Sequence, residues 1–553
     1  MAHTPILRLP GDERELPLVD VAIVMESTYP FLKGGVSAVV HDIITHNPDL
    51  SFGIIHIAWD TKAPSEDLYG MPANVQWVDV LYLSLEENGA DFRAAVENPR
   101  EEQQVTQFID AVQAALNGHY APMRQLYLDA VNPQTRTWRL WSVLVDRQFM
   151  EAAVHATRGA TDISLGELFW LMRDFFSLAY SLLDRVHPPA RVYHAHTTGY
   201  ASLVSAAAKI QNDGAFLLTE HNLYVRDTVN TLLERPMNLP VTMQSHELHA
   251  SSTVEKFWTR WWTVLGAMLY PETDHITYLY PNAITEAADL GGDRSKSEIL
   301  PNGIVWEEFD YARARRREAR DNLDTKKTWR LACIARVVPI KGIIELIDAA
   351  ALLVERGVDN VVIDVLGPTE HVPEYYEQCL ARIREHELEG RVTLRGTVAV
   401  RDVLHDYDAL ILASFNEGQP VVVLESMVIG LPVLGTNVGG MDQLVIDPLE
   451  DPSDPDARTI GPCGDLVEPG DVAGLADMVQ RMVASPELYR TWSDNALDRL
   501  RTVFLMESVM VRYNAIYRRL GAQPERATRT ADLGRGPEDI TDGPFERYPE
   551  PSA

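Results

Sequence analysis

The chain contains very little cysteine. Its 553 residues include only three, Cys333, Cys379 and Cys463, and no two of them stand at C-x-x-C spacing. Cysteines so far apart in the sequence favour neither a disulfide framework nor a zinc site. A reducing compartment fits this composition, and we expect a cytoplasmic protein.

Basic residues are scarce relative to acidic ones. Lysine and arginine total 49 against 80 aspartates and glutamates, which gives a formal net charge of −31. A nucleic-acid backbone or an anionic membrane surface is therefore not expected as a main partner. Local basic pockets are still compatible with this total.

Long apolar runs are absent as well. No stretch approaches the roughly 18 apolar residues of a membrane span, and residues 1–10 lack the pattern of a secretion signal. We therefore expect no transmembrane segment. The densest aromatic stretch, residues 257–270, fits either an interfacial anchor or a buried helix, and the surrounding α/β pattern favours the helix.

The chain does contain a repeated alternation of short apolar runs and helical patterns. This alternation predicts an α/β protein with parallel sheets, and the length predicts two or three domains. Residues 1–18 are expected to be irregular. The predicted boundaries are an N-terminal domain at 1–300 with a helical insertion at about 95–188, a C-terminal domain at 301–505, a terminal helix at 506–522 and a disordered tail at 523–553.

The most informative stretch is residues 414–434, where Glu417 and Glu425 stand eight apart across a turn that opens a helix. A helix N-terminus offers unpaired N–H groups, so the turn after Gly418 predicts an anion site at the ligand-binding edge of a sheet. The two carboxylates suit the hydroxyls of the same ligand, and a nucleotide sugar has both features. The alternative is plain surface charge beside a core helix.

Two other loops follow predicted strands. Gly34 and Gly35 precede a helical pattern, and glycine lets the backbone approach a phosphate closely. Arg336 and Lys341 stand five apart, so both cations can reach one diphosphate. Each loop alone also fits an ordinary turn or a solvated segment.

One histidine stands out by its position. His221 comes just past the end of a predicted strand, at the ligand-binding edge of the sheet. Because a lone histidine is usually structural, we interpret His194, His196, His246 and His249 in that way. The last two do not form the H-E-x-x-H zinc pattern, since their spacing is one residue short. No Asp-x-Asp stretch indicates a metal site, so we predict neither a metal nor a cofactor other than the substrate.

Taken together, these motifs resemble the retaining family 4 glycosyltransferases, from residue 19 to about residue 520. Within that family the sequence is most similar to the PelF-like branch, the glucosyltransferases of Pel exopolysaccharide synthesis. The segments that carry the resemblance are the E-x7-E pair Glu417 and Glu425, Gly430-Leu-Pro432-Val, Gly439-Gly440, the R-x4-K-G segment Arg336 to Gly342, Glu26-Ser-Thr-Tyr-Pro30 with Gly34-Gly35, Thr219-Glu-His221 and Leu300-Pro-Asn-Gly303.

The resemblance implies a GT-B architecture, in which two Rossmann-like domains with parallel sheets face each other across a cleft. It also implies that the helix at 506–522 crosses back to the first domain. The implied reaction is a retaining, metal-independent transfer of a hexose, glucose in this branch, from a UDP-sugar such as UDP-glucose. The acceptor would be a growing polysaccharide or another sugar, and a membrane polysaccharide synthase complex would be a partner.

The resemblance assigns roles within the predicted site. Arg336 and Lys341 would neutralise the departing diphosphate, Glu417 would position the hexose, and Glu425 would bind the ribose. His221 would be the fourth catalytic residue. Because Pro420 has no N–H, the backbone contacts to phosphate would fall to later amides. The expected nucleotide-sugar contacts are Gly34, Gly35, Arg336, Lys341, Gly418, Gln419, Val421, Val422 and Glu425.

Two other functions use the same fold. One is a sugar-nucleotide epimerase with GT-B architecture, and the other is a non-catalytic nucleotide-sugar-binding component of a polysaccharide synthesis complex. The presence of Arg336, Lys341, Glu417 and Glu425 disfavours the non-catalytic component. The E-x7-E spacing and the predicted insertion disfavour the epimerase.

Overall fold

Two parallel sheets organise the molecule. The computed structural model describes residues 4–97, 102–235, 239–321, 323, 326–450 and 459–522. The tail predicted at 523–553 lies outside the described residues. The first sheet has eight strands and the second has six, and all neighbouring strands in both are parallel.

The first sheet has the strand order β1-β4-β3-β2-β5-β6-β7-β8. Its strands are β1 (Ile6–Arg8), β2 (Val19–Glu26), β3 (Phe52–Ala58), β4 (Val75–Tyr82), β5 (Ala190–Ala195), β6 (Ala215–Glu220), β7 (His275–Tyr278) and β8 (Ser297–Ile299).

The second sheet has the order β11-β10-β9-β12-β13-β14. Its strands are β9 (Trp329–Ile334), β10 (Val361–Leu366), β11 (Val392–Leu394), β12 (Ala409–Leu412), β13 (Val433–Thr436) and β14 (Gly464–Val467). The predicted α/β class with two Rossmann-like, parallel-sheet domains is confirmed.

Helices connect the strands of both sheets. In the first half they are α1 (Gly35–Thr45), α2 (Gly89–Glu97), α3 (Glu102–Leu116), α4 (Ala121–Leu126), α5 (Arg147–Ala156), α6 (Leu165–Leu183), α7 (Tyr200–Asn212), α8 (Tyr224–Leu232), α9 (Thr253–Leu269) and α10 (Pro281–Ala288). In the second half they are α11 (Asp310–Asp321), α12 (Ile343–Glu355), α13 (Pro373–Glu385), α14 (Val400–Val403), α15 (Val421–Met427), α16 (Met441–Val445), α17 (Val472–Ala484), α18 (Pro486–Val503) and α19 (Met506–Gly521).

Each sheet is buried on both faces. Along β2, Val21 and Ile23 belong to one hydrophobic cluster, whereas Ala22 and Val24 belong to another. This period of two shows that the clusters lie on opposite sides of the strand. Burial of both faces explains why the strands of a parallel sheet are continuous apolar runs rather than alternating ones.

Helices α2 to α6 lie between β4 and β5, where the helical insertion was predicted. Helix α6 begins with a capping box: the Ser164 hydroxyl accepts from the Glu167 N–H at 3.2 Å, and the Glu167 carboxylate accepts from the Ser164 N–H at 2.8 Å. The buried face of α6 contributes Phe176, whose ring meets Phe108 and Phe149 at 5.7 Å and 5.1 Å between centroids. The insertion therefore has a core of its own.

The aromatic stretch at residues 257–270 forms most of α9. Its Trp258 and Trp261 pack against Phe175 of α6, with ring centroids 5.1 Å and 4.3 Å apart. The stretch is thus a packing helix, as the α/β pattern favoured. Among the described helices, none combines the length and the apolar character that a bilayer crossing requires.

The two halves are joined by a pair of adjacent chain segments. The Ile304 N–H donates to the Phe504 carbonyl and the Met506 N–H donates to the Ile304 carbonyl, both at 2.9 Å. A Cβ at Gly303 would lie 2.7 Å from the Met506 Cα, so this crossing requires glycine. Beyond it, α19 packs on β2 and β5 of the first sheet.

One element of the N-terminal region was predicted wrongly. Residues 1–18 were expected to be irregular, but Ile6–Arg8 forms β1 and pairs with β4. The Arg8 side chain also makes an ion pair with Asp79 at 2.7 Å. A three-residue edge strand is too short to show a periodicity, and only its neighbour reveals it.

Helix α19 is anchored by a buried hydrogen bond, which generates a stability prediction. The Tyr517 hydroxyl lies 2.7 Å from His194 Nδ1 beneath the first sheet. Tyr517→Phe leaves this nitrogen buried without its partner, so we expect a loss of about 1–3 kcal/mol in unfolding free energy. Urea titration monitored by circular dichroism would measure it.

The matched control for this variant lies on the same helix. Val511 is 64% exposed, and Val511→Ala should change the unfolding free energy by less than about 0.5 kcal/mol. Equal effects of the two substitutions would show that the Tyr517 hydroxyl does not anchor the helix.

Candidate functional site

The carboxyl ends of the strands in the two sheets meet across an interdomain cleft. The Arg226 guanidinium of the first half donates to the Asn416 side-chain oxygen of the second at 3.4 Å. A Cβ built on Gly418 would lie only 2.2 Å from the carbonyl oxygen of His221. Open α/β sheets bind ligands at this edge, so the cleft is the candidate site.

Lys341 and Glu417 are brought together on the C-terminal side of the cleft. Lys341 follows β9 and Glu417 follows β12, and the Lys341 Nζ lies 2.6 Å from Glu417 Oε1. The Ser414 hydroxyl donates to the same oxygen at 2.7 Å. Gly342 lets the Lys341 turn fit, because its φ is +63° and a Cβ there would lie 2.0 Å from the Ala413 carbonyl oxygen.

Arg336 lies in the same loop after β9 but is arranged differently. Its side chain is exposed and makes no hydrogen bond or ion pair with any residue that the structure describes. Whereas the charge of Lys341 is balanced by Glu417, the Arg336 guanidinium is available for an anion at the cleft.

Helix α15 begins in the predicted turn. Pro420 precedes it, and Val421 and Val422 are its first two residues, whose N–H groups have no acceptor within the helix. The turn is held by Gly440, whose N–H donates to the Gly418 carbonyl at 2.8 Å. Gly439 adopts a φ of +59°, and a Cβ there would lie 1.9 Å from the Glu417 carbonyl oxygen. The paired glycines thus pack directly beneath the turn.

The side chain of Gln419 lies at the domain junction. Its Oε1 accepts from the Asn302 N–H at 2.6 Å, and its Nε2 donates to the Leu279 carbonyl at 3.3 Å. This buried side chain therefore connects the segment around Asn302, which links the two halves of the chain, to the loop after β7. Any contact of Gln419 with a nucleotide sugar would therefore use its backbone, and that contact stays a prediction.

Glu425 lies on α15, one residue after the buried Leu424. Burial raises the pKa of its carboxyl, and Arg401 opposes that shift with its guanidinium 3.4 Å away. Arg401 is shared with Glu308, which makes a second ion pair. The Glu425 side chain is therefore largely shielded from solvent, and its ion pair with Arg401 is long.

On the N-terminal side of the cleft, His221 pairs with a second histidine. His221 follows β6, and its Nε2 lies 2.8 Å from Nδ1 of His196, which follows β5. Burial lowers the pKa of His221 to about 4, so the ring is neutral at physiological pH. His196 was interpreted as structural, but the structure places it in direct contact with the predicted site residue.

Two buried carboxylates lie at the same edge. Glu26, at the end of β2, accepts from the Ala201 N–H at 2.7 Å at the start of α7. Glu220, at the end of β6, accepts from the Tyr270 hydroxyl at 3.0 Å and from the Thr198 hydroxyl. Burial raises the pKa of Glu26, and burial raises that of Glu220 to about 7. Through these hydrogen bonds, the two carboxylates hold together the segments that follow β2, β5 and β6.

Gly34 directly precedes α1 and Gly35 is its first residue, after the loop that follows β2. The Gly34 N–H donates to the Tyr69 hydroxyl at 3.2 Å. A Cβ at either glycine would meet no described atom within 4 Å, so protein packing does not require glycine there. The space in front of this loop is open, and its contact with a ligand stays a prediction.

No metal centre is evident within the described parts of the chain. They contain no group of three or more histidines, cysteines, aspartates or glutamates that could hold a metal ion.

Comparisons with known proteins agree with this two-part arrangement. Residues 19–295 match the family described as a domain of unknown function, DUF3492, and residues 315–499 match the glycosyl transferases group 1. The chain belongs to the DUF3492 family. Its C-terminal domain is a group 1 glycosyltransferase domain, so the predicted family membership is confirmed at this level.

Two curated relatives each match less than half of the chain. It is 24% identical over 256 residues to N-acetyl-alpha-D-glucosaminyl L-malate synthase of Bacillus anthracis, covering 44% of this chain and 60% of that protein. It is 33% identical over 160 residues to the putative teichuronic acid biosynthesis glycosyltransferase TuaC of Bacillus subtilis, covering 29% and 37%. The chain thus spans about half the length of the relatives it matches.

Solved structures confirm the predicted GT-B fold. Anabaena HepE in complex with UDP and glucose superposes with a TM-score of 0.52 and 15% identity, covering 90% of this chain and 99% of HepE. Sucrose-phosphate synthase from Thermosynechococcus elongatus gives 0.54 and 16%, covering 91% and 99%. At these identities the likeness establishes the fold and nothing further.

The pKa of Glu220 generates a prediction for this DUF3492 protein. A carboxyl whose pKa rises from 4.5 to about 7 on folding contributes stability below pH 4.5, and that stability is lost as the pH rises through 7. Glu220→Gln should therefore become more stable relative to wild type across this window, by roughly 3 kcal/mol in total. Thermal unfolding from pH 4.5 to 8.5 would measure the difference.

The exposed Glu66 supplies the control for this experiment. Glu66→Gln makes the same chemical change at an exposed position and is the matched control. A pH-independent difference between wild type and Glu220→Gln would contradict the raised pKa of Glu220.

Proposed function

We propose that the protein is a retaining glycosyltransferase that moves a hexose, glucose in our proposal, from a UDP-sugar to a carbohydrate acceptor. The observation that carries the proposal is the convergence of Lys341, Glu417 and the first turn of α15 on one side of the cleft, opposite His221. Cations and amides suit a diphosphate, and carboxylates suit sugar hydroxyls.

The proposed reaction exchanges one bond to the anomeric carbon for another. The bond between C1 of the sugar and the β-phosphate oxygen breaks, and the acceptor hydroxyl oxygen bonds to C1 from the same face. The hydroxyl proton passes to the departing phosphate. Negative charge develops on that phosphate as it leaves, and preorganised cations and amides stabilise it most at that moment.

The charges of the site allow this step without a metal ion. Arg336 has no described counter-ion, and Lys341 can transfer its charge from Glu417 to a phosphate as a donor binds. A released Glu417 carboxylate would then accept from hexose hydroxyls. We therefore propose metal-independent turnover.

The donor and acceptor follow from different halves of the chain. HepE, which has the same fold, has been solved in complex with UDP and glucose and with UDP-glucose, which supports UDP-glucose as the donor to test first. The first half matches DUF3492 and contains the insertion at α2–α6, which has an aromatic core. We propose that this half binds the end of a growing polysaccharide, as in the PelF-like branch.

This assignment also proposes a setting for the protein. A polysaccharide acceptor made at a membrane would require a synthase complex as partner, with the enzyme acting from the cytoplasm. Assay of UDP release from UDP-glucose, with and without oligosaccharides, tests the central claim. Product analysis separates transfer from epimerisation, and the absence of both UDP release and a new sugar product would indicate a non-catalytic binding protein.

The two cations proposed to bind the diphosphate, Arg336 and Lys341, generate the first functional prediction. Arg336→Ala and Lys341→Ala each remove charge stabilisation that grows in the transition state, so each should lower kcat by about 10²-fold or more. Turnover should be measured in EDTA, so that no divalent cation replaces the lost charge. Arg384, an exposed arginine of α13, gives the matched control, and Arg384→Ala should be neutral.

Two results would contradict this assignment. Near-normal turnover in both Arg336→Ala and Lys341→Ala would remove the loop after β9 from the mechanism. A wild-type enzyme that is inactive in EDTA and recovers with Mn²⁺ or Mg²⁺ would disprove the metal-independent site.

The two glutamates should differ in what they recognise. If Glu425 accepts from the ribose hydroxyls, Glu425→Gln should weaken UDP and UDP-glucose alike by roughly 1–3 kcal/mol. If Glu417 faces the hexose, Glu417→Gln should leave UDP affinity nearly unchanged and weaken binding or turnover of the whole donor. Calorimetric titration with both ligands would measure the contrast, and equal losses of UDP affinity in the two variants would refute it.

A further inference from the structure

The contact between His196 and His221 is an in-plane hydrogen bond. The ring planes differ by only 17°, and the centroids are 5.1 Å apart. That separation matches a 2.8 Å bond between Nδ1 of His196 and Nε2 of His221 with one ring radius added at each end. The rings therefore meet edge to edge, as a bond along a nitrogen lone pair requires.

Both rings are neutral, so one of them must supply the single shared proton. Burial lowers the pKa of each ring, and His194 and His221 add further lowering at His196. Each neutral imidazole carries one N–H and one bare nitrogen. Two arrangements follow: His196 donates from Nδ1, or His221 donates from Nε2.

The other nitrogen of His196 decides between them. Its Nε2 is buried and has no hydrogen-bond partner among the described residues. If His221 were the donor, His196 would carry its proton on that nitrogen, leaving a buried N–H without an acceptor. Orphaned buried N–H groups are rarer than under-satisfied acceptors. The favoured arrangement therefore has His196 donating from Nδ1, with its Nε2 bare.

We propose that His196 is a positioning residue that holds His221 as the Nδ1–H tautomer and turns this N–H toward the cleft. The inference deepens the proposed function, on which it rests, by naming what His221 offers a ligand. His221 Nε2 is occupied by His196, and no described residue bonds its Nδ1. The ring thus presents a neutral donor for a sugar hydroxyl or phosphate oxygen, and no base.

The plane of His196 is itself fixed by a third histidine. The ring of His194 packs on that of His196 with centroids 4.1 Å apart. His194 is held at both nitrogens, by the Tyr517 hydroxyl and by the Thr219 hydroxyl, each at 2.7 Å. Helix α19 thereby supports the histidine pair from beneath the sheet, so His196 has little freedom to turn away.

The tautomer can be read directly by NMR of protein labelled with ¹⁵N at the histidine rings. Protonated and bare ring nitrogens have well-separated ¹⁵N shifts, and comparison with His221→Gln assigns the signal. At pH 7.5 we expect His221 to carry its proton on Nδ1. A wild-type His221 protonated on Nε2 would overturn the proposal, and this readout needs no turnover, so it is independent of whether the proposed reaction is right.

Substitutions at His196 test whether this residue sets the tautomer of His221. His196→Ala should convert His221 to the Nε2–H form that unconstrained imidazoles prefer. His196→Asn places an amide near the former Nδ1 and should retain the Nδ1–H form, whereas His196→Gln places it near Nε2 and should behave like alanine. Retention of the Nδ1–H form in His196→Ala would show that His196 does not set it. Should the alanine variant fail to fold, the wild-type tautomer and the contrast between asparagine and glutamine decide the matter.

Kinetics give the functional arm of the same test. If UDP-glucose turnover is observed, kcat/KM should fall about tenfold or more in His196→Ala and recover to within about threefold in His196→Asn. His187 supplies the control, since it is a buried histidine whose ring nitrogens also lack described partners. His187→Leu should leave kcat/KM and the His221 tautomer unchanged. Equal losses in all three variants would indicate a general effect of core substitution and overturn the positioning role.

Discussion

The close approach of Gly418 to the His221 carbonyl oxygen sets the geometry of the whole cleft. Only glycine fits, because a Cβ would lie 2.2 Å from that oxygen. The contact brings the loop after β12 against the loop after β6, so the turn that opens α15 and the histidine pair lie close together. Gln419 secures this arrangement through its bonds to the linker and to the loop after β7.

Charge inside the cleft is arranged independently of the acidic total. The whole chain has a formal net charge of −31, whereas the loop after β9 presents one cation paired with Glu417 and one without a described partner. Lys341 can exchange Glu417 for a phosphate, and the Arg336 guanidinium has no described partner. Both features suit a ligand that carries phosphate and hydroxyl groups. On the N-terminal side, burial holds the His196 and His221 rings uncharged. The charged group that this side extends to the second domain is the Arg226 guanidinium, which donates to Asn416.

The two halves of the chain contribute different features to the cleft. The C-terminal half carries the group 1 glycosyltransferase domain, and its cations and helix start suit a donor. The N-terminal half carries DUF3492, a histidine pair and an insertion with its own aromatic core. Helix α19 physically connects them, because it leaves the second domain at Met506 and ends beneath the first sheet against His194. The stability of the first domain and the position of the histidine pair thus depend on α19.

The sequence alone determined the class of fold and the position of the predicted C-terminal site residues relative to the strands. Apolar runs and helical patterns are local, and Arg336, Lys341, Glu417 and Glu425 all follow or lie near predicted strand ends. The edge strand β1 escaped prediction because three residues show no period. Only tertiary structure decided the partners: Lys341 with Glu417 across 76 residues, Gln419 with Asn302 across 117, and His196 with His221 across 25. His196 had one available signal, its place beyond β5 beside β6. Strand order, which no local pattern encodes, makes those two strands neighbours and the two histidines a pair.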